Sequence, residues 1–266
     1  MWTYQQHDLE ARVNRYGELK ELSVGGLPVI ASPEPARWPH ETIAFPIVGT
    51  PDTKGMVEWY GERLPMNHNG VAPHVPLTEL TSREQEVSFE WSYSGWDIAS
   101  PLKPPFSTLP SKIGYYPCTL SKTFSFHRDG MDVRLSITND HFKPIPFNLG
   151  WQLELYQPEE NAIIDSQEQR LTTESLNEAA FPPTSTGTNL YAERGLTYLP
   201  SKGLQMSING SFPHFIAQRH SHDPHSFSLT ACLHPPSLET GYFHGQPGKQ
   251  YSILLPDETR TYEISL

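Results

Sequence analysis

The chain has 266 residues, 36% of them hydrophobic and 18% charged, with a formal net charge of -11. That is the apolar content of a folded protein, and the acidic balance excludes nucleic acid and anionic membranes as partners, because both need clustered Lys and Arg. A neutral or weakly polar ligand fits it better.

The first eight residues, Met1 to Asp8, show no basic region followed by an apolar stretch, so no signal peptide is expected. Near the start, residues 19–24 form a strand candidate closed by Gly25-Gly26. The longest apolar run, residues 43–48, is far shorter than the roughly 20 residues of a membrane-spanning helix, and a soluble chain is expected. Residues 56–60 give a further strand, ended by Gly61-Glu62. Val87, Phe89, Trp91 and Tyr93 then alternate with Ser88, Glu90 and Ser92, which places four large apolar side chains on one face of a strand.

Residues 97–117, rich in Pro, Ser and Lys, are expected to form a long loop. Phe124 and Phe126 before Asp129-Gly130, and Val133, Leu135 and Ile137 after it, predict a hairpin turning on that Asp-Gly pair. Strands are expected over 148–156, 204–208, 227–233, 251–255 and 261–266; only 168–178 has the length for a short helix, without a convincing apolar face. With 26 prolines and 18 glycines punctuating short strands and no internal repeat, the expected fold is all-β, a large antiparallel sandwich in one domain over 1–266. Two cysteines, Cys118 and Cys232, permit at most one disulfide, and a reducing cytoplasmic setting is expected.

Several segments, in order, resemble the aldose 1-epimerase (galactose mutarotase-like) family, especially its shorter bacterial branch. They are Tyr16-Gly17-Glu18-Leu19, Phe45-Pro46-Ile47-Val48-Gly49, Asn67-His68-Asn69-Gly70-Val71-Ala72, the stretch from Val133 to Asn139 with Pro144 to Gln152, Ala231-Cys232-Leu233-His234-Pro235, and Leu254-Leu255-Pro256-Asp257. The resemblance implies a galactose mutarotase-like sandwich, no cofactor, and a monosaccharide or sugar phosphate as ligand. Mutarotation opens and recloses a hemiacetal ring, so an acid and a base must flank the sugar. In the family a Glu is the base and a His the acid, assisted by a second His.

This sequence departs from that set at each place. Asn69 stands where the first His belongs, with His68 one residue early; Gln152 replaces the second His; His234 replaces the Glu. An Arg of the family's cleft becomes Pro73, with His74 beside it. The resemblance therefore makes His68 and His234 the candidate catalytic residues, and Asn69, His74, Trp151 and Gln152 the candidate sugar-binding residues. Gln152 keeps a donor and an acceptor but does not titrate near neutral pH, whereas a neutral His234 can accept a proton. Trp91 is expected in the core by its alternation, and Trp151, next to Gln152, at the cleft.

Other constellations have plainer readings. His214, His220, His222 and His225 with Asp223 would suit a metal but sit in what reads as a polar loop, and no metal is expected. Asp165 with Glu168, or Glu159 with Glu160, could pair as glycosidase carboxylates, though acidic residues are commoner on solvated turns. Three functions stand: a sugar-binding, aldose 1-epimerase-like protein exchanging anomers at an altered site, a non-catalytic sugar-binding or regulatory protein, and a glycoside-processing enzyme.

Overall fold

The computed structural model describes residues 1–30, 40–49, 51, 55–99, 112–157, 162–166, 168–176, 178–179, 187–201, 204–220, 223–236, 243 and 247–266. Its described elements are β-strands joined by turns, with two single-turn 3-10 helices, Ala72–His74 and Thr173–Ser175. The second falls inside the one stretch where a helix was conceivable. Among the described residues, no helix is long and apolar enough to cross a membrane.

Two large sheets form the layers. The nine-stranded sheet is antiparallel, in the order Arg170–Thr172, Ile163–Asp165, Leu196–Ser201, Leu204–Gly210, Thr259–Ser265, Gly130–Asn139, Cys118–His127, Glu86–Tyr93, Thr78–Ser82. The six-stranded sheet runs Glu178–Ala179, His214–His220, Asp223–Cys232, Gly150–Tyr156, Glu41–Ala44, with Thr188–Tyr191 also paired to His214–His220. A four-stranded N-terminal meander, Trp2–Gln6 to Leu27–Pro28, packs Tyr4 against Phe126 with ring centroids 5.1 Å apart.

Strict alternation builds the inner faces. In Cys118–His127 every second side chain is buried, so Cys118, Leu120, Lys122, Phe124 and Phe126 line one face, and Val87, Phe89, Trp91 and Tyr93 do the same on Glu86–Tyr93. One cluster of buried hydrophobic side chains runs from Tyr4 to Ile264. Tyr198 of one sheet meets Phe227 of the other at 5.1 Å between rings and donates its hydroxyl to the Tyr156 carbonyl at 2.8 Å.

The hairpin forms one residue earlier than the Asp-Gly signal suggests. His127 pairs with Gly130, so Arg128 and Asp129 make the turn and Gly130 opens the strand. Gly130 is required for another reason: a Cβ there would lie 1.9 Å from the Leu266 carbonyl oxygen, where the chain end pairs with Met131. The stretch 97–117 carries a short pairing of Ile98–Ala99 with Lys112–Ile113, and 100–111 lie outside the described residues. Cys118 and Cys232 are both buried and free, so no disulfide joins them.

Candidate functional site

The segment 45–49 places the candidate site. The strand Glu41–Ala44 ends before a cis Phe45-Pro46 peptide, and the chain then crosses residues 66–72. Phe45 donates its N–H to the Asn69 carbonyl at 3.0 Å, Val71 to the Phe45 carbonyl at 2.8 Å, and Asn69 to the Gly49 carbonyl at 2.8 Å. Asn69 and Gly70 both have positive φ, 59° and 77°. Asn tolerates that region, but at Gly70 a Cβ would also meet the Phe45 carbonyl oxygen at 2.2 Å. Replacing Gly70 by Ala is expected to cost at least about 2 kcal/mol and to displace Asn69, readable as a lower urea midpoint.

The Asn69 side chain starts a hydrogen-bond chain whose polarity is fixed from its first member. Gly49 N–H can only donate, so Asn69 Oδ1 accepts it at 2.8 Å and Asn69 Nδ2 must be the outward donor. It donates to Gln152 Oε1 at 3.1 Å; Gln152 Nε2 in turn donates to Glu154 Oε1 at 2.9 Å, which also accepts Ser228 Oγ–H at 2.5 Å. Gln152 is half-buried, while Asn69, Glu154 and Ser228 are buried. This network joins residues 83 positions apart. Glu154 and Ser228 are its members that sequence reasoning missed; the signal available was Glu154 standing two residues after Gln152, hence on the same face of the strand.

The other candidates divide. His68 neighbours His74, and burial followed by that neighbouring imidazole lowers its pKa to about 4. Its backbone N–H donates to Asn67 Oδ1 at 2.8 Å. His234 lies two residues past the end of the strand Asp223–Cys232, in which Thr230 is the partner of Gln152. Ala44, Val48, Ile216 and Cys232 form a small buried apolar cluster, with Val48 packed over Gly150 so closely that a Cβ there would sit 2.9 Å from it.

Past the strand end His234 is fastened. Asn148 accepts its backbone N–H at 3.2 Å and donates to its carbonyl at 2.9 Å, and Nε2 lies 3.0 Å from Ser252 Oγ. Burial chiefly, then His214, lowers its pKa, against a backbone hydrogen bond to Lys249. The stretches around His68 and Gln152 are joined through the Asn69–Gln152 hydrogen bond, while His234 is bonded to Asn148 and Ser252.

Trp151 is a correction. It is 2% exposed and points into the core, where its indole N–H donates to Glu41 Oε1 at 2.5 Å. Adjacency to Gln152 in a strand puts the two on opposite faces. His74 neighbours His68 and also borders a cavity of about 260 Å³ whose lining includes none of His68, Asn69, Gln152 and His234. Another cavity, of about 330 Å³, lies between the meander and the chain end, bordered by Leu22, Met131, Tyr198 and Leu266.

No group of three or more metal-ligating side chains occurs among the described residues. His222 and the Glu159-Glu160 pair lie outside them; Asp165 pairs with Arg170 in a short edge ladder.

No family model matches the chain, and no curated protein matches it in sequence. Solved structures do match. A galactose mutarotase-like protein of Lactobacillus casei ATCC 334 superposes with a TM-score of 0.73 at 15% identity, covering 99% of this chain and 98% of that one. A candidate aldose 1-epimerase of Escherichia coli K12 gives 0.72 at 14%, covering 99% and 97%. A galactose mutarotase related enzyme of Lactobacillus acidophilus gives 0.71 at 12%, covering 99% and 95%. At these identities the likeness fixes the fold: the chain is a galactose mutarotase-like β-sandwich.

Proposed function

We propose that this protein, acting as one unit over 1–266, binds a monosaccharide on the face carrying Asn69, Gln152 and Glu154, and exchanges its anomers only slowly at neutral pH. The observation that carries the reading is the 3.1 Å hydrogen bond from Asn69 to Gln152. It joins the two positions at which the sequence resemblance sets the family's histidines, and it does so within the fold that the mutarotase-like structures share. The net charge of -11 favours a neutral sugar over a phosphorylated one.

The slow exchange follows from what titrates. A base is present, since the Glu154 carboxylate lies on this face behind Gln152. The acid is weak: the amides of Asn69 and Gln152 do not titrate, and His68, with its pKa near 4, is neutral at pH 7 and would have to become an imidazolate to protonate a ring oxygen. His234 is tied to Asn148 and Ser252 rather than to this network, and we assign it no proton transfer. Binding survives this substitution pattern better than catalysis does.

Saturation-transfer and exchange NMR with D-glucose and D-galactose test both halves. The expected result is binding that Gln152→Leu abolishes, with anomer exchange near the spontaneous rate at pH 7. Enzyme-like rates on several aldoses at pH 7 would refute the altered site; no binding of any aldose would refute the sugar reading. Release of reducing ends from a glycoside would instead identify hydrolysis.

A further inference from the structure

At the edge of the six-stranded sheet the cavity of about 260 Å³ opens between the turn at Tyr16 to Glu18, the edge strand Glu41–Ala44, the 3-10 turn Ala72–His74 and the following residues to Leu77. Its walls combine Ile43, Ala72, Leu77 and Trp91 with His74 and Lys122. Every lining residue belongs to the described part of the chain.

The charges on this lining are matched. The Lys122 ammonium donates to both oxygens of Glu41 at 2.8 and 2.7 Å, and Glu41 further accepts the Trp151 indole N–H and the Leu19 amide. The Glu18 carboxylate takes Lys20 at 2.9 Å and the His40 amide at 3.0 Å. An ionic ligand would find no unmatched counter-charge here, and burying an unmatched charge is costly. The site suits a neutral molecule.

His74 is the uncommitted polar group. Its Nε2 is buried and has no hydrogen-bond partner among the described residues. Burial lowers its pKa to about 4, so at neutral pH the ring carries one N–H and one lone pair, the complement of a hydroxyl group. Two of the three Lys122 N–H bonds are taken by Glu41, and its ammonium also lies 5.0 Å from the centroid of the Phe124 ring. Beside these donors lie Trp91 and the aliphatic wall, which suit C–H faces. The volume is below the ~300 Å³ at which drug-sized pockets begin, so the ligand is compact.

From this arrangement we infer that the cavity is a second binding site, separate from the sugar face, for a small neutral polyol whose hydroxyls are read by His74 and Lys122 while its carbon backbone lies on Trp91. It does not depend on the sugar face being occupied. Erythritol is the probe, with glycerol and myo-inositol as smaller and larger comparisons.

The experiment follows the His74 imidazole nitrogens by ¹⁵N-detected correlation NMR during titration with erythritol, alongside saturation transfer to the polyol. The expected result is a saturable shift of the His74 nitrogens, at least a tenfold weaker binding in His74→Phe, and unchanged binding in Gln152→Leu, which alters only the sugar face. No polyol shifting the His74 signals would overturn the inference, as would a loss of erythritol binding in Gln152→Leu with none in His74→Phe. The wild-type imidazole signal decides the matter even where the substituted protein folds poorly. Loss of aldose binding on the sugar face with erythritol binding retained would refute the proposed function and leave this inference standing.

Discussion

Lys122→Met is expected to destabilise the protein by about 3–5 kcal/mol, the largest single effect in the molecule. The Lys122 and Glu41 side chains are 3% and 0% exposed and meet at 2.7 Å between the two sheets. Removing the ammonium strands a buried carboxylate without its counter-charge, and the same carboxylate fixes the Trp151 indole and the Leu19 amide. The pair itself adds less than that figure, because desolvating two ions offsets most of their attraction. Glu41→Gln combined with Lys122→Met is therefore expected to recover more than half of the loss. Urea midpoints of the two variants measure it; a cost under 1 kcal/mol for Lys122→Met would mean that the pair is solvated in solution.

The second large effect is acid lability above the carboxylate range. His68 and His74 have ordinary values of 6.5 lowered to about 4 in the folded protein. Between those values the unfolded chain binds more protons than the folded one, so stability rises with pH across that window and falls as pH drops from 6.5 toward 4. Each ring contributes up to about 3 kcal/mol of that loss, a large share of a net stability of about 5–15 kcal/mol. Glu18, whose pKa is lowered, adds a loss that falls later, as pH drops through its lowered value. Urea midpoints at pH 7.5 and 5 are expected to differ clearly in the wild type and less in His74→Phe. Equal midpoints in the wild type would show that the two rings are hydrated.

Much of the fold was legible because period-two alternation is a direct readout of which face is buried. Val87 to Tyr93 and the Cys118–Asn139 hairpin follow it residue by residue. The same rule, applied one step further, separates Trp151 from Gln152, and it puts Lys122 in phase with Leu120, Phe124 and Phe126. A lysine on a core face demands a buried acid, but nothing local identifies Glu41, which lies 81 residues away. At the hairpin the Leu266 carbonyl, brought up by the last strand, claims the space at Gly130, so the glycine serves that close approach rather than the turn itself.

The candidate site was legible in part for the same reason. The resemblance picked out Asn69 and Gln152, and the loop 45–49 brings them together through long-range backbone hydrogen bonds. Glu154 and Ser228 join through cross-strand pairing of Gly150–Tyr156 with Asp223–Cys232, which no short motif encodes. His234 bonds Asn148 and Ser252 instead, past the end of the strand that pairs with Gly150–Tyr156.

Diffraction from crystals soaked in D-galactose and in D-glucose addresses the sugar face most directly. The account predicts a pyranose ring within hydrogen-bonding distance of the Gln152 amide, with the link from Asn69 through Gln152 to Glu154 intact beneath it. A ring bound anywhere else on the protein, or crystals that take up neither sugar, would contradict it.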